Sequence, residues 1–410
     1  MRALLAALSA CAVALLAVPA AGQLLPGVSL PPVPQVPVVN DTLDRTLDRP
    51  VKELQRTAGR LLDQRTKRIE RLLRRERASI EPDARGEPAR RGELLLVDAA
   101  PDVLAAARAA GFAEAGSDRL ESLGMTVTRL ALPRGTALAD GEALLRRVAP
   151  QAEIAPDNLH FQSGRAALLS AVGAAASPAI ATTVGMIDGA PGGVVPVAAS
   201  KGFAKGAPAA SNHGSAVASL LAGAGVRRVL AADVYGTDPA GGNALAIVRA
   251  LDWLAESGAK VVSISLVGPR NAVLEKAIAA LRRKGVVVVA AVGNDGPAAP
   301  PAYPASYPGV LAVTGVDGRG RPLIEAGRAL HLDYAAPGAD IRGRGKSGKW
   351  LKLRGTSFAV PLVAARAAAA LDRGGSWQAT LDREAEDLGP RGADDRYGRG
   401  LLCKGCGRRG

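Results

Sequence analysis

From residue 180 onward, short apolar runs alternate with longer stretches of helical spacing. Residues 183–187, 261–266, 286–291 and 310–314 carry little polar interruption. Such runs suit strands buried on both faces, as in a parallel sheet. Residues 216–221, 244–255 and 272–283 lie between them and repeat their apolar positions as helices do. The alternation predicts an α/β domain, a mostly parallel sheet flanked by helices on both faces. In that architecture ligands bind beyond the carboxyl ends of the strands.

Upstream the pattern is different. Residues 92–162 read as strand 93–98, helix 101–110, strand 125–132, helix 141–148 and a closing strand 153–161. That β-α-β-α-β order predicts a small ferredoxin-like α+β module. Residues 163–179, rich in Gly, Ala and Ser, read as a linker. Residues 23–91 begin with a Pro-rich stretch and continue into a basic helical pattern. There Leu54, Ala58, Leu61, Leu62, Ile69, Leu72 and Leu73 recur at helical spacing. Arg65, Lys67, Arg68, Arg71, Arg74, Arg75 and Arg77 fill the other face. The plain expectation is a solvated amphipathic helix packed on a neighbour. Weak contact of residues 51–77 with an anionic surface is the sharper alternative. No aromatic residues interleave the cations, so a nucleic-acid partner is not expected.

Composition changes the picture in three places. Aromatics are only 3% of the 410 residues, so the core must be built from small aliphatic side chains. Residues 1–22 have the form of a signal peptide: Arg2, an apolar run over 3–18, and small residues at Ala20 and Gly22. Export to a secreted or periplasmic location follows. Cys11 would leave with the leader, and the tail 403–410 keeps Cys403 and Cys406. In an oxidising compartment that C-x-x-C is expected to close a local disulfide. Two thiols are too few for a zinc site.

Candidate chemistry centres on Leu-Arg-Gly-Thr-Ser-Phe-Ala-Val-Pro, residues 353–361. Ser357 stands where a small-residue helix over 358–371 begins. A hydroxyl there can attack a carbonyl while backbone N–H groups hold the oxyanion. Such a nucleophile needs a base that works near neutral pH and an acid to orient it. Three His residues exist, and His213 sits at a Gly-flanked helix start. Asp188 directly follows the run 183–187. Asn294 follows shortly after the run 286–291, at the end of a buried strand, where its amide could donate to an oxyanion.

These residues resemble the subtilisin-type serine peptidases, the subtilase family. Four blocks carry the likeness in family order: Met-Ile-Asp-Gly at 186–189, Asn-His-Gly-Ser-Ala-Val-Ala-Ser-Leu-Leu-Ala-Gly at 212–223, Ala-Val-Gly-Asn-Asp-Gly at 291–296, and Gly-Thr-Ser-Phe-Ala-Val-Pro at 355–361. Ala336-Pro337-Gly338 and Tyr397-Gly398-Arg399-Gly400 extend it, so the likeness covers residues 180–402. The resemblance implies Ser357 as nucleophile, His213 as general base and Asp188 as its orienting acid. It implies an oxyanion hole from Asn294 and the Ser357 N–H. It implies substrate contacts at Ser265, Leu266, Val267, Gly268, Ala291, Val292 and Gly293, with polypeptides as substrates. No cofactor is required by this chemistry. The interval from Asp188 to His213, 213 − 188 = 25 residues, is short for the family, so no calcium site is assigned. Ser215 stands where Thr is common in the family, and Phe358 where Met is. Val267 stands where Gly is common, which implies small or medium side chains before the scissile bond.

The module at 92–162 resembles the inhibitory propeptide of these enzymes in position and size. A parallel sheet folds slowly, and a docked module could template it and block the site. Self-cleavage between about residues 161 and 181 is therefore expected, with the basic helix leaving in the same fragment. A permanently attached N-terminal domain is the competing expectation. Two other function classes fit less well. An α/β-hydrolase esterase needs Gly-x-Ser-x-Gly and a different order of residues. A peptide-binding pseudoenzyme would lack a triad member.

Overall fold

Seven parallel strands form the central sheet, in the order Tyr334–Pro337, Leu311–Val316, Val287–Ala291, Val261–Ile264, Val184–Asp188, Val229–Asp233, Ala199–Gly202. The structure is a computed structural model that describes residues 40–168 and 177–407. The chain divides into two compact units, residues 1–52 and 53–410. Of the first, only the start of the helix Asn40–Arg75 is described. The expected signal peptide and most of the Pro-rich stretch lie outside the described residues.

Every strand of this sheet except the edge strand Ala199–Gly202 is buried end to end. Their side chains alternate between two cores, as the two-residue period of a strand requires. Met186 points to one side, with helices Asn212–Gly223 and Val360–Asp372. Ile187 points to the other, with helices Ala244–Glu256 and Ala272–Arg283. Three of these helices begin at a side-chain cap, Ser211, Asn243 or Asn271, which accepts a bond from an otherwise unpaired N–H. The α/β expectation is met. The boundaries differ by a residue or two, and Asp188 is the last residue of its strand instead of following it.

The upstream module is an antiparallel sheet of Ile80–Pro82, Pro88–Val97, Ala113–Leu120, Met125–Ala131 and Glu153–Asn158, with helices Pro101–Ala109 and Leu138–Val148. Its order is therefore β-α-β-β-α-β after an extra first strand. The strand Ala113–Leu120 is missing from the sequence expectation because it is largely exposed and polar, with no apolar alternation to read. The module also starts earlier than residue 92, because Ile80–Pro82 pairs with Pro88–Arg90.

One face of the module sheet, with Leu94, Leu96, Leu130 and Ile154, packs on its own helices. The other face, with Leu95, Val97, Val127 and Ala155, joins the core of helices Ala244–Glu256 and Ala272–Arg283. Each such buried aliphatic contributes about 1.5–3 kcal/mol. Alternation thus fixes the module on the catalytic domain through its second face.

The expected linker 163–179 is partly structured. Arg165–Leu168 forms a strand antiparallel to Trp350–Arg354, which itself pairs with Ala339–Arg344. Small residues let this segment lie close to a neighbouring backbone, and the ladder takes up its N–H and C=O groups. Residues 169–176 lie outside the described range. Cys403 and Cys406 form the expected disulfide.

Candidate active site

Three elements converge at the carboxyl end of the sheet. The strand Val184–Asp188 delivers Asp188 at its last position. Helix Asn212–Gly223 begins one residue before His213, held by the Ser211 cap. Ser357 sits in a one-turn 3-10 segment, Thr356–Phe358, just before helix Val360–Asp372. It therefore lies in the turn before the helix and not at its first residue. Pro361 occupies the first helical turn, where a missing N–H costs little.

Asp188 and Ser357 are fully buried and His213 is 8% exposed. His213 Nδ1 lies 2.8 Å from Asp188 Oδ2, and His213 Nε2 lies 3.0 Å from Ser357 Oγ. The Gly189 N–H donates to Asp188 Oδ1 at 2.7 Å. The Phe358 ring lies 5.0 Å from the imidazole. A carboxylate that accepts the Nδ1 proton leaves Nε2 with a lone pair facing the hydroxyl.

Asn294 is oriented by its own oxygen. Oδ1 accepts from the Thr356 N–H at 3.0 Å, which directs Nδ2 the other way. Gly355 has φ 145°, and a Cβ there would meet Asn294 Nδ2 and the Ser163 carbonyl oxygen, each at 2.8 Å. Only glycine leaves that space open. Ser265 Oγ donates to the Ser357 carbonyl at 2.8 Å and steadies the turn from behind.

The cleft is filled by the chain itself. Phe161–Gln162 pairs antiparallel with Leu266–Val267, as an extended peptide adds a strand to a sheet edge. His160 N–H donates to the Gly242 carbonyl at 2.7 Å. The Ser357 N–H donates to the Ser163 carbonyl at 3.2 Å. Beyond it, Arg165–Leu168 pairs with Leu351–Arg354. Gln162 Nε2 also donates to Asp188 Oδ1 at 2.8 Å. The bond joining Ser163 to Gly164 thus passes directly over Ser357. Gly164 has no room for a side chain: a Cβ would meet Ser357 Oγ at 2.5 Å and the Phe358 ring at 2.6 Å.

Behind Ser163, Val267 packs over Gly293, at 3.4 Å from where a Cβ of Gly293 would lie. Gly268, Val292, Asp295 and Tyr303 line the rest of a cavity of about 340 Å³ there. His160 is fully buried, with no hydrogen bond to either ring nitrogen among the described residues, and burial pushes its imidazole down to about 4 against the raising effect of the Asn158 and Gly242 backbone.

Asp188, His213, Ser357, Asn294 and the residues 265–268 and 292–293 therefore come together, with Ala291 ending a strand beside them. Cys403 and Cys406 line a different cavity, beside Arg366 and Glu384. Among the described residues, no three His, Cys, Asp or Glu side chains are grouped as metal ligands. Sequence reasoning missed Gly164, Gln162 and Asp295. The small residues after Phe161 read as a linker within the interval 161–181 expected to be cleaved, with no single residue marked.

The family model of the Subtilase family matches residues 197–400, which includes His213, Asn294 and Ser357 and begins downstream of Asp188. Subtilisin Savinase from Lederbergia lenta is 32% identical over 218 residues, 49% of this chain and 80% of that one. Alkaline protease from Shouchella clausii is 32% identical over 218 residues, 49% of this chain and 56% of that one. Among solved structures, fervidolysin from Fervidobacterium pennivorans, a keratinolytic enzyme related to subtilisin, superposes with a TM-score of 0.64 at 16% identity. That likeness of fold spans 81% of this chain and 63% of the other.

Proposed function

The chain belongs to the subtilase family and is a serine-type endopeptidase; on that premise we propose that it is exported as a self-inhibited precursor and works through Ser357, His213 and Asp188. Ser357 Oγ adds to the carbonyl carbon of the scissile bond while its proton passes to His213 Nε2. Asp188 holds the imidazole in the required tautomer and stabilises it when charged. The Ser357 N–H and Asn294 Nδ2 receive the oxyanion. Collapse returns the proton from His213 to the departing amine nitrogen and leaves an acyl-enzyme. Water, deprotonated by His213, then releases the new carboxylate.

The first substrate is the chain's own Ser163–Gly164 bond. The single observation that carries this reading is the Ser163 carbonyl on the Ser357 N–H, with His213 and Asp188 hydrogen-bonded in line behind the hydroxyl. An intramolecular bond held in place in this way avoids the entropy cost of a bimolecular encounter. Until it is cut, residues 160–168 exclude other peptides. The module that precedes them, docked on helices Ala244–Glu256 and Ala272–Arg283, acts as an inhibitory propeptide. Residues 1–22 serve as the export signal.

Intact-mass measurement and N-terminal sequencing of the secreted protein test this. The active species should begin at Gly164, and Ser357→Ala should accumulate with residues 163 and 164 still joined. An active wild-type enzyme that keeps residues 92–163 covalently attached would overturn the precursor reading and leave the peptidase assignment standing.

A further inference from the structure

The helix Asn40–Arg75 has no part in the chemistry above, yet its second half lies on the rim of the active site. Arg68 Nη2 donates to both oxygens of Asp295, at 2.9 and 3.0 Å. Arg65 Nη2 donates to both oxygens of Glu87 in the module, at 2.7 and 2.8 Å, and its Nε lies 3.5 Å from Asp295 Oδ2. One guanidinium thus ties the module to the catalytic domain. Asp295 adjoins Asn294 in sequence, and its partners among the described residues are these two arginines.

Apolar contacts reinforce the charges. A Cβ on Gly296 would meet Leu61 at 2.9 Å, so glycine lets the helix approach the loop closely. Ile69 is 8% exposed. Together Arg65, Arg68 and Ile69 close the mouth of the 340 Å³ cavity walled by Val267 and Val292. Arg85 in the module donates to the Arg270 carbonyl at 3.1 Å on the same rim.

We propose that the rim around Asp295 and Gly296 is a docking surface for a cationic amphipathic helix, and that its occupant is residues 61–75 of this chain. The helix caps the cavity walled by Val267 and Gly293 and holds the N-terminal fragment on the enzyme after the bond at Ser163 is cut. Cleavage and activation are then two events, with loss of the Arg65 and Arg68 pairs gating the second. This rests on the precursor reading given above.

The test uses the full-length chain carrying Arg65→Ala with Arg68→Ala. Cleavage, followed by intact mass, should proceed at the wild-type rate. Hydrolysis of an added peptide should then appear with a lag up to about tenfold shorter, as one part-buried and one exposed ion pair are lost. The wild-type lag should shorten as salt is raised and the variant's lag should not. A second measurement does not require cleavage. In the Ser357→Ala background, amide hydrogen exchange over residues 61–75 should be slow, and the double substitution should speed it. An unaltered lag with unaltered salt sensitivity, or unaltered exchange, overturns the docking proposal. Absence of any cut at Ser163 instead overturns the precursor reading, and the exchange measurement still decides the docking.

Discussion

The carbonyl oxygen of Ser163 accepts a hydrogen bond from the backbone N–H of Ser357 at 3.2 Å. That N–H is the same donor an oxyanion would need, so the chain's own Ser163–Gly164 bond lies where the proposed mechanism places a reacting bond.

Gly164 is what lets it do so. Gly164→Val would drive a branched side chain into Ser357 Oγ and the Phe358 ring. A displacement of about 1 Å at a reacting bond costs on the order of 100-fold in rate. Cleavage at this bond should slow by about that factor, read as the half-time for loss of full-length mass. Processing of the variant at the wild-type rate would place the scissile bond elsewhere.

Asn294→Ala removes the side-chain oxyanion donor while leaving the triad bonds untouched. The kcat for a peptide substrate should fall about 100- to 1000-fold, a range carried over from the equivalent loss in a subtilisin, with little change in KM. An unchanged kcat would exclude Asn294 from the chemistry.

Val267 packs against Gly293 and walls the cavity it shares with Gly268 and Tyr303. Wild-type enzyme should therefore favour small side chains before the scissile bond. Val267→Gly should raise kcat/KM for Phe or Tyr there by about 10- to 200-fold relative to Ala, since one misfit methylene is worth about 1–3 kcal/mol. A peptide-library profile of the wild type dominated by aromatic residues would refute this.

Two buried groups on the fragment titrate in opposite senses. Burial pushes the Asp157 carboxyl up to about 7, against the Leu245 N–H and the Arg90 charge. Burial pushes His160 down to about 4. In the released fragment both return to roughly 3.9 and 6.5. Docking therefore binds a proton at Asp157 and expels one at His160. Asp157 weakens docking as pH rises from about 4 to 7, and His160 weakens it as pH falls from about 6.5 to 4. Between about pH 4 and 6.5 the slopes oppose, and fragment affinity should be nearly flat. Asp157→Asn should leave an affinity that rises with pH, and His160→Phe one that falls by up to about tenfold per unit. Dissociation constants measured across this range check both, and two flat variants would contradict the assignment.

Asp188, His213, Asn294 and Ser357 are legible in the sequence because each stands in a short block with its own local geometry. The buried strands are legible because both faces are apolar, as with Val287–Ala291. The edge strand Ala113–Leu120 is not, since exposed strands leave no apolar pattern. Nor is the pairing of Gln162 with Leu266, because a ladder between distant segments is set by the tertiary fold and by backbone groups that every residue shares. The cations of the basic helix are plain in the sequence. That Arg68 meets Asp295 depends on how the module tilts that helix, which no periodicity encodes.

On the proposed maturation, the strand Arg165–Leu168 would outlast the cut. Cleavage there would free the fragment ending at Ser163 and leave this strand laddered on Leu351–Arg354. A segment joined covalently to its own binding groove competes at an effective concentration on the order of mM. The new N-terminus would thus be a tethered rival for the half of the cleft that receives the departing end of a substrate. Peptides that run far past the scissile bond must displace it, and those that end shortly after need not. Freshly cut enzyme would thereby favour bonds near a substrate's carboxyl terminus.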